Sequence, residues 1–111
     1  MRVADRQSLL LRGALDLCLL ALLESQPVYG YEVAARLRER GLPVAVGSVY
    51  PLLARLEAAG DVRADERPSP SGPPRKWWSL TSRGEQTLAA GRESWSTFAR
   101  GIDSILGTGP E

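Results

Sequence analysis

The segment that most restricts the fold of this chain is residues 47–60, with the sequence GSVYPLLARLEAAG. A serine hydroxyl can cap a first helical turn, proline is tolerated in that turn, and glycine readily adopts the left-handed conformation that ends a helix. Ser48, Pro51 and Gly60 therefore predict a helix of about three turns. Its apolar residues recur at helical spacing and form one buried stripe, made of Val49, Leu52, Leu53 and Leu56. The opposite face is slim and carries few charges, and it consists of Tyr50, Ala54, Arg55 and Ala58.

A second helical pattern precedes this segment and is joined to it by a short turn. It covers about residues 29–40 and ends at Gly41. Two helices joined by a short turn that contains glycine form a helix-turn-helix, in which the second helix reads DNA. In the first helix of the pair, Arg36 is a candidate phosphate contact, whereas Arg38 and Arg40 fit a solvated face.

After Gly60 the apolar residues alternate with polar ones, which is typical of strands. Two short strands, around residues 62–64 and 75–80, are separated by a loop rich in Pro, Ser and Gly. The loop predicts a hairpin with a mobile tip, because it is too long for a two-residue turn. The sequence from Arg67 to Arg83 contains four basic residues and no acidic one, a balance that suits a phosphate backbone. Trp78 and Leu80 share the core-facing side of the second strand, and Trp77 points the other way.

Both ends of the chain predict helices that need a partner. Residues 9–25 are so rich in leucine that the predicted helix is buried on more than one side, and the single Cys18 is interpreted as a small buried hydrophobe within it. The last helix is predicted to begin with a capping box, Ser82 to Glu85, and to run to about Leu106. Its heptad positions form a seam that predicts a homodimer through both terminal helices. The candidate dimer contacts are Leu10, Leu88, Trp95, Phe98, Ile102 and Ile105.

The composition argues against catalysis and against a metal site. The chain has no histidine and one cysteine, so the commonest general base and a set of zinc ligands are both missing. The longest apolar run is interrupted by Asp16 and is too short to span a bilayer, and no cleavage site for a signal peptide follows it. We therefore expect a cytoplasmic protein that is not an enzyme and has no cofactor. The net charge is only +1, so the placement of the basic residues matters more than their number.

Three motifs, in this order and spacing, resemble the PadR family of transcriptional regulators. They are VYGYEVAARL from Val28, SVYPLLARLEAAG from Ser48 and RKWWSLTSRGE from Arg75. The resemblance covers roughly residues 9–106. It implies a mainly α fold with a small β-hairpin, namely a winged helix-turn-helix followed by a long C-terminal dimerisation helix. It also implies that Tyr29 and Tyr31 match the paired tyrosines of the family.

The expected organisation follows from the patterns and the resemblance together. Residues 1–8 form a flexible arm, residues 9–83 the DNA-binding domain, residues 84–106 the dimerisation helix and residues 107–111 a tail. We expect a dimeric repressor that binds an inverted repeat in double-stranded DNA and acts by occlusion. The candidate DNA contacts are Tyr29, Arg36, Ser48, Tyr50, Arg55, Arg67, Arg75 and Lys76.

Several alternatives remain open at this point. Tyr29 and Tyr50 either contact phosphate through their hydroxyls or pack within the domain, and Tyr31 is assigned to the core. Some compact PadR proteins bind flat hydrophobic compounds beside a tryptophan, so Trp95 and Phe98 are either plain seam residues or line an effector site next to a gap at Gly91. A winged-helix module that binds another protein, and no DNA, is the alternative function.

Overall fold

The computed structural model describes residues 2–110, and within them the chain forms five helices and three strands. The elements in order are α1 (Val3–Arg12), α2 (Leu15–Leu22), β1 (Val28–Tyr29), α3 (Gly30–Glu39), α4 (Val46–Ala58), β2 (Val62–Ser69), β3 (Gly72–Leu80) and α5 (Ser82–Leu106). This confirms the predicted fold class, a mainly α winged helix-turn-helix with a long C-terminal helix. Met1 and Glu111, the outermost residues of the predicted arm and tail, lie outside the described residues. No helix within residues 2–110 is both long and apolar enough to cross a membrane.

One hydrophobic core joins the helices to the sheet. Every helix and every strand contributes at least one buried side chain to it, so the described residues share one contiguous core. Its members are Leu11, Leu19, Leu20, Leu23, Val28, Val33, Ala34, Leu37, Val44, Val49, Leu52, Leu53, Leu56, Val62, Trp78 and Leu88.

The N-terminal region differs from the prediction of a polar arm followed by one long helix. Residues 3–8 belong to α1, and a turn at Gly13 and Ala14 separates α1 from α2. Glycine weakens a helix at this point, and the break allows Leu11 before it and Leu19 after it to reach the same core. Leu10 stays outside the core, with 66% of its surface exposed.

Helix α4 begins earlier than its sequence predicts. Its cap residue is Ala45, and Ser48 lies inside the first turn, where its hydroxyl donates a hydrogen bond of 2.7 Å to the Ala45 carbonyl. The prediction of Ser48 as the cap was therefore wrong. Because the helix starts at Val46, Pro51 lies beyond the first turn and has no N–H to donate to the Gly47 carbonyl. Gly60 ends the segment in the left-handed region at φ 85°, as predicted.

The sheet has three antiparallel strands in the order β1-β3-β2. The third strand, β1, was missed because it is only two residues long, and it pairs Val28 with Trp78 and Tyr29 with Trp77. The hairpin of β2 and β3 is also tighter than expected. Ser69 pairs with Gly72, so only two residues connect the strands, and the ladder is irregular between Arg67 and Ser69, at Pro68.

The start of α5 is tied to the end of α4 and the start of β2 by hydrogen bonds. The cap residue is Thr81, one position before the predicted Ser82, and its side chain accepts a 3.0 Å hydrogen bond from the Gly84 amide. The same hydroxyl donates to the Gly60 carbonyl at 2.6 Å. Asp61 is buried and accepts a hydrogen bond of 2.8 Å from the Thr87 hydroxyl. Helix α5 is therefore fixed to the winged domain at its base.

Candidate nucleic-acid interface

Helix α4 divides sharply into a buried and an exposed face. Val49 and Leu53 are fully buried, whereas Tyr50 keeps 43% of its surface exposed. Ala54, Arg55 and Ala58 are exposed as well. The exposed face is thus narrow along most of its length, with Arg55 as its one long basic side chain. This face can enter a groove while the opposite face of the helix stays packed in the core.

A shallow cleft runs beside this exposed face and brings in a residue that the sequence reasoning missed. Ser48 and Arg55 line the cleft together with Arg12, from the last turn of α1, and with Asp16 of α2. Arg12 lies far from α4 in sequence, and only the turn between α1 and α2 places it there. No local pattern in the sequence signals this proximity.

Three tyrosines lie close together where β1, α3 and α4 meet. The ring centres of Tyr29 and Tyr31 are 6.3 Å apart. Tyr31 is 52% exposed, so its assignment to the core was wrong: it occupies the outer side of the first turn of α3. The Tyr50 ring lies against Gly30, where a β-carbon would come within 2.9 Å of it. Burial raises the pKa of the Tyr50 hydroxyl, and the neighbouring Tyr29 and Tyr31 raise it further.

The outer face of the wing, defined as the side of the sheet that carries Tyr29, Arg67, Arg75 and Trp77, combines aromatic rings with arginines. The Tyr29 and Trp77 ring centres are 6.0 Å apart. Arg75 lies 4.7 Å above the Tyr29 ring and Arg67 lies 5.0 Å above the Trp77 ring. Trp77 is half-buried in this cluster, which agrees with the prediction that it points away from the core. Its position as an arginine support was missed, although strand alternation places it on the same side as Arg75.

Lys76 lies on the other face of the wing and is therefore separated from Arg67 and Arg75. It stands opposite Glu66 in the ladder, and its amine is 5.8 Å from the centre of the Trp78 ring. Trp78 itself is buried, as predicted, with 4% of its surface exposed. Its indole N–H has no hydrogen-bond partner among the residues that the structure describes. Lys76 therefore does not form one patch with Arg67 and Arg75.

The arginines of α3 differ in their surroundings. Arg36 is half-buried, and its guanidinium lies 3.4 Å from the Glu32 carboxylate one turn earlier. Arg38 and Arg40 are exposed, which fits the prediction of a solvated face.

Beyond its base, α5 exposes a long apolar stripe. Trp95 is 53% exposed, Phe98 63%, Ile102 42% and Ile105 84%. Leu88 differs from the other heptad residues, since only 1% of its surface is exposed and it packs in the core of its own chain. The assignment of Leu88 to a dimer contact was therefore wrong, because the base of α5 belongs to the domain core.

A mainly apolar cavity of about 450 Å³ opens between the N-terminal helices, the turn after α3 and α5. Leu10, Cys18 and Trp95 line it, but Phe98 does not. The expected gap at Gly91 is closed, because the Leu17 side chain occupies the space that a β-carbon on Gly91 would take. Burial, with a smaller effect from Asp16, raises the pKa of the Cys18 thiol and makes it a poor nucleophile.

Helix α5 is held against α2 by this packing, and an ion pair joins it to the turn that follows α2. Both terminal nitrogens of Arg92 donate hydrogen bonds of 2.9 Å to the Glu24 carboxylate. The hydrogen bonds lower the pKa of Glu24 and raise that of Arg92. In the described part of the chain, no three His, Cys, Asp or Glu side chains are grouped so that they could hold a metal ion.

A helix-turn-helix with an exposed second helix, followed by a hairpin with arginines on one face, defines a winged helix-turn-helix protein. Residues 19–90 match the PadR-like family of transcriptional regulators. The chain belongs to this family, as its motifs indicated.

Solved structures agree with this assignment. A PadR family transcriptional regulator from Eggerthella lenta is 30% identical, with a TM-score of 0.85 over 96% of this chain and 94% of that one. A transcriptional regulator from Streptococcus is 40% identical, with a TM-score of 0.77 over 86% of this chain and 95% of the other. A PadR-like transcriptional regulator from Bacillus cereus is 31% identical, with a TM-score of 0.79 over 89% of this chain and 97% of that one. No protein of curated function matches the chain in sequence.

Proposed function

We propose that this transcriptional regulator is a DNA-binding repressor that acts as a homodimer on an inverted repeat. The division of α4 into a buried stripe and a slim exposed face carries the proposal. A helix anchored in this way can lie in the major groove while the domain around it stays folded. The family of the chain supports a regulatory role on DNA.

The candidate residues make different contacts with DNA in this proposal. Arg55 reads base edges from the exposed face of α4, while Ser48 and Tyr50 lie at the start of that helix and approach the backbone. Arg67 and Arg75 contact phosphates from the outer face of the wing and Lys76 does so from its other face, while the Tyr29 ring packs beneath Arg75. Arg36 contacts a phosphate only after its partly buried ion pair with Glu32 opens. Since α4 offers so few base-reading side chains, DNA shape contributes to specificity.

The apolar stripe of α5 supports the proposed dimer. A monomer in water rarely exposes a large row of apolar side chains such as Trp95, Phe98, Ile102 and Ile105. A second copy of α5, together with Leu10 of α1, would cover this row. In a two-fold dimer the half-sites lie about 34 Å apart, or a multiple of that distance.

Repression by occlusion needs only these two surfaces, one for DNA and one for a second copy, and is therefore the proposed mode of action. In this role the protein acts in the cytoplasm and catalyses no reaction.

A small planar hydrophobic effector is a second candidate, and the cavity beside Trp95 favours it. The cavity is apolar and touches both α5 and the turn after α3. A ligand there would contact the proposed dimer helix and the helix-turn-helix at once. Quenching of tryptophan emission by planar hydrophobic compounds, lost in Trp95→Ala, tests this candidate against the background of Trp77 and Trp78. Unchanged quenching in Trp95→Ala would remove it.

Binding of the purified protein to DNA from upstream of its own gene, compared with a scrambled duplex across a salt series, tests the main proposal. Tighter binding to the upstream DNA, with affinities that fall steeply with salt, is the expected result. Weak and equal binding to both duplexes and to other promoter fragments would instead favour the protein-interaction module.

A further inference from the structure

Two arginines face each other across the wing and lie on aromatic rings rather than against carboxylates. Arg67 and Arg75 are register partners in β2 and β3, so their side chains leave the same face of the sheet. The Arg67 guanidinium lies 5.0 Å above Trp77, and the Arg75 guanidinium lies 4.7 Å above Tyr29. Within residues 2–110, neither arginine takes part in an ion pair.

This arrangement concentrates positive charge at one place on the wing. Like charges directly opposite each other in a ladder repel, and the two ring faces offset part of that repulsion. The acidic residues nearby do not neutralise the pair. Asp65 shares the outer face but stands opposite Trp77, and Glu66 lies on the other face opposite Lys76. The site therefore has a net positive charge that an anion can share.

On the basis of the DNA-binding function proposed above, we propose that Arg67 and Arg75 together bind a single backbone phosphate of DNA, with Trp77 and Tyr29 as positioning residues. A guanidinium presents a planar fork of donors that matches phosphate oxygens. Two such groups held side by side provide donors for both non-bridging oxygens of one phosphate. Stacking on the rings limits the conformations of the long arginine side chains, which lowers the entropy cost of ordering them on the ligand.

The salt dependence of binding to a non-specific duplex distinguishes one phosphate shared by both arginines from two phosphates that they contact separately. Each neutralised phosphate contributes about 0.9 to the slope of log K against log salt. We expect the double variant Arg67→Gln, Arg75→Gln to lose about 0.9 in slope for each wing, with each single variant losing less than half of that. If the double variant loses about 1.8 in slope for each wing and each single variant loses half of that, the arginines bind two separate phosphates, and the inference is overturned. An unchanged slope would also overturn it and would point to a partner other than DNA, such as an acidic peptide.

Arg63→Gln is the matched charge control, because Arg63 is exposed and lies on the same strand and face without stacking on a ring. We expect its slope to stay within error of the wild type. If Arg63→Gln lowers the slope as much as the double variant does, the wing acts as a diffuse positive surface and the two-arginine site is excluded.

The positioning role of Trp77 requires a variant that keeps both charges. Trp77→Leu should weaken DNA binding about two- to fivefold without changing the slope, and Trp77→Phe should restore most of the affinity. In an Arg67→Gln background, Trp77→Leu should have no further effect on affinity. A loss of equal size in both backgrounds would mean that Trp77 only stabilises the sheet, and it would remove the positioning role.

Failure of this inference is distinguishable from failure of the proposed function. If the wild-type protein binds neither specific nor scrambled duplex, the DNA-binding proposal itself fails. If the wild type binds and only the slopes differ from those expected, the DNA-binding function stands and the shared phosphate site does not.

Discussion

Gly84 packs directly against the main-chain carbonyl oxygen of Asp61, with no room between them for a β-carbon. This contact places the first turn of α5 on the junction between α4 and β2. The buried Asp61 carboxylate and the Thr87 hydroxyl then fix the helix there through their 2.8 Å hydrogen bond. Close packing at Gly84 is thus one of the contacts that set the direction in which α5 leaves the domain.

Gly84→Ala should destabilise the protein by about 1–3 kcal/mol, because the added methyl group meets main-chain atoms that cannot rotate away. The melting temperature should fall by about 4 °C for each kcal/mol. Gly47→Ala is the control, since Gly47 is helical and exposed and has nothing within 4 Å of the position of its β-carbon. Its melting temperature should be unchanged or slightly higher. Equal melting of the two variants would contradict the packing at Gly84.

Trp78→Ala should cost about 3–5 kcal/mol of the free energy of unfolding, because the side chain is almost completely buried beneath the sheet. Trp78→Phe should cost clearly less, since it keeps an aromatic ring and removes an N–H that has no hydrogen-bond partner among residues 2–110. Chemical denaturation of both variants measures the difference. A Trp78→Ala protein as stable as the wild type would show that the strand register is wrong.

Arg55→Ala should weaken binding to the specific DNA site by about ten- to a hundredfold, as expected when a base-contacting arginine is removed. Its stability should change by no more than about 0.5 kcal/mol, because the side chain is exposed. Fluorescence anisotropy with labelled duplex gives the affinity, and thermal melting gives the stability. Arg38→Ala, which removes an exposed arginine from α3, is the control and should bind nearly as the wild type does. Similar losses in both variants would argue against base reading by Arg55.

Phe98→Asp should convert the proposed dimer into a monomer, because it places a charge in the apolar stripe of α5. Ser96→Asp introduces the same charge on the opposite side of the helix, beside Arg100, and should remain dimeric. Sedimentation velocity at micromolar concentration distinguishes the two states. A wild-type protein that sediments as a monomer, or a dimeric Phe98→Asp variant, would show that this stripe is not the dimer contact.

The Glu24–Arg92 ion pair should add to stability only at pH values where Glu24 is ionised. The pKa of Glu24 is lowered in the folded state, chiefly by the hydrogen bonds from Arg92, so its contribution is present above the unfolded pKa and is lost as the pH falls through the folded value. Glu24→Gln should therefore melt below the wild type at pH 7, and the difference should shrink as the pH falls below about 4.3, the ordinary pKa of glutamate. A difference that persists unchanged at pH 3 would rule out ionisation as its cause.

Local patterns predicted much of the interface because each of them reflects one element and its burial. The stripe of Val49 and Leu53 placed the buried face of α4, and alternation in β3 placed Trp78 inside and Trp77 outside. Errors arose where a local signal competed with packing. Ser48 has the right chemistry for a cap, but the helix begins two residues before it, and its hydroxyl donates back to the Ala45 carbonyl instead.

The sequence by itself determined the fold class, the family and the slim exposed face of α4, because these depend on periodicity and on motifs short enough to be read along the chain. Only the tertiary structure decided which distant residues meet. It brought Arg12 to the same cleft as Arg55, buried Leu88 in the core, filled the gap at Gly91 with Leu17, and separated Lys76 from the two arginines on the outer face of the wing. Such contacts depend on how elements pack against each other, and neither charge nor spacing along the sequence records that geometry.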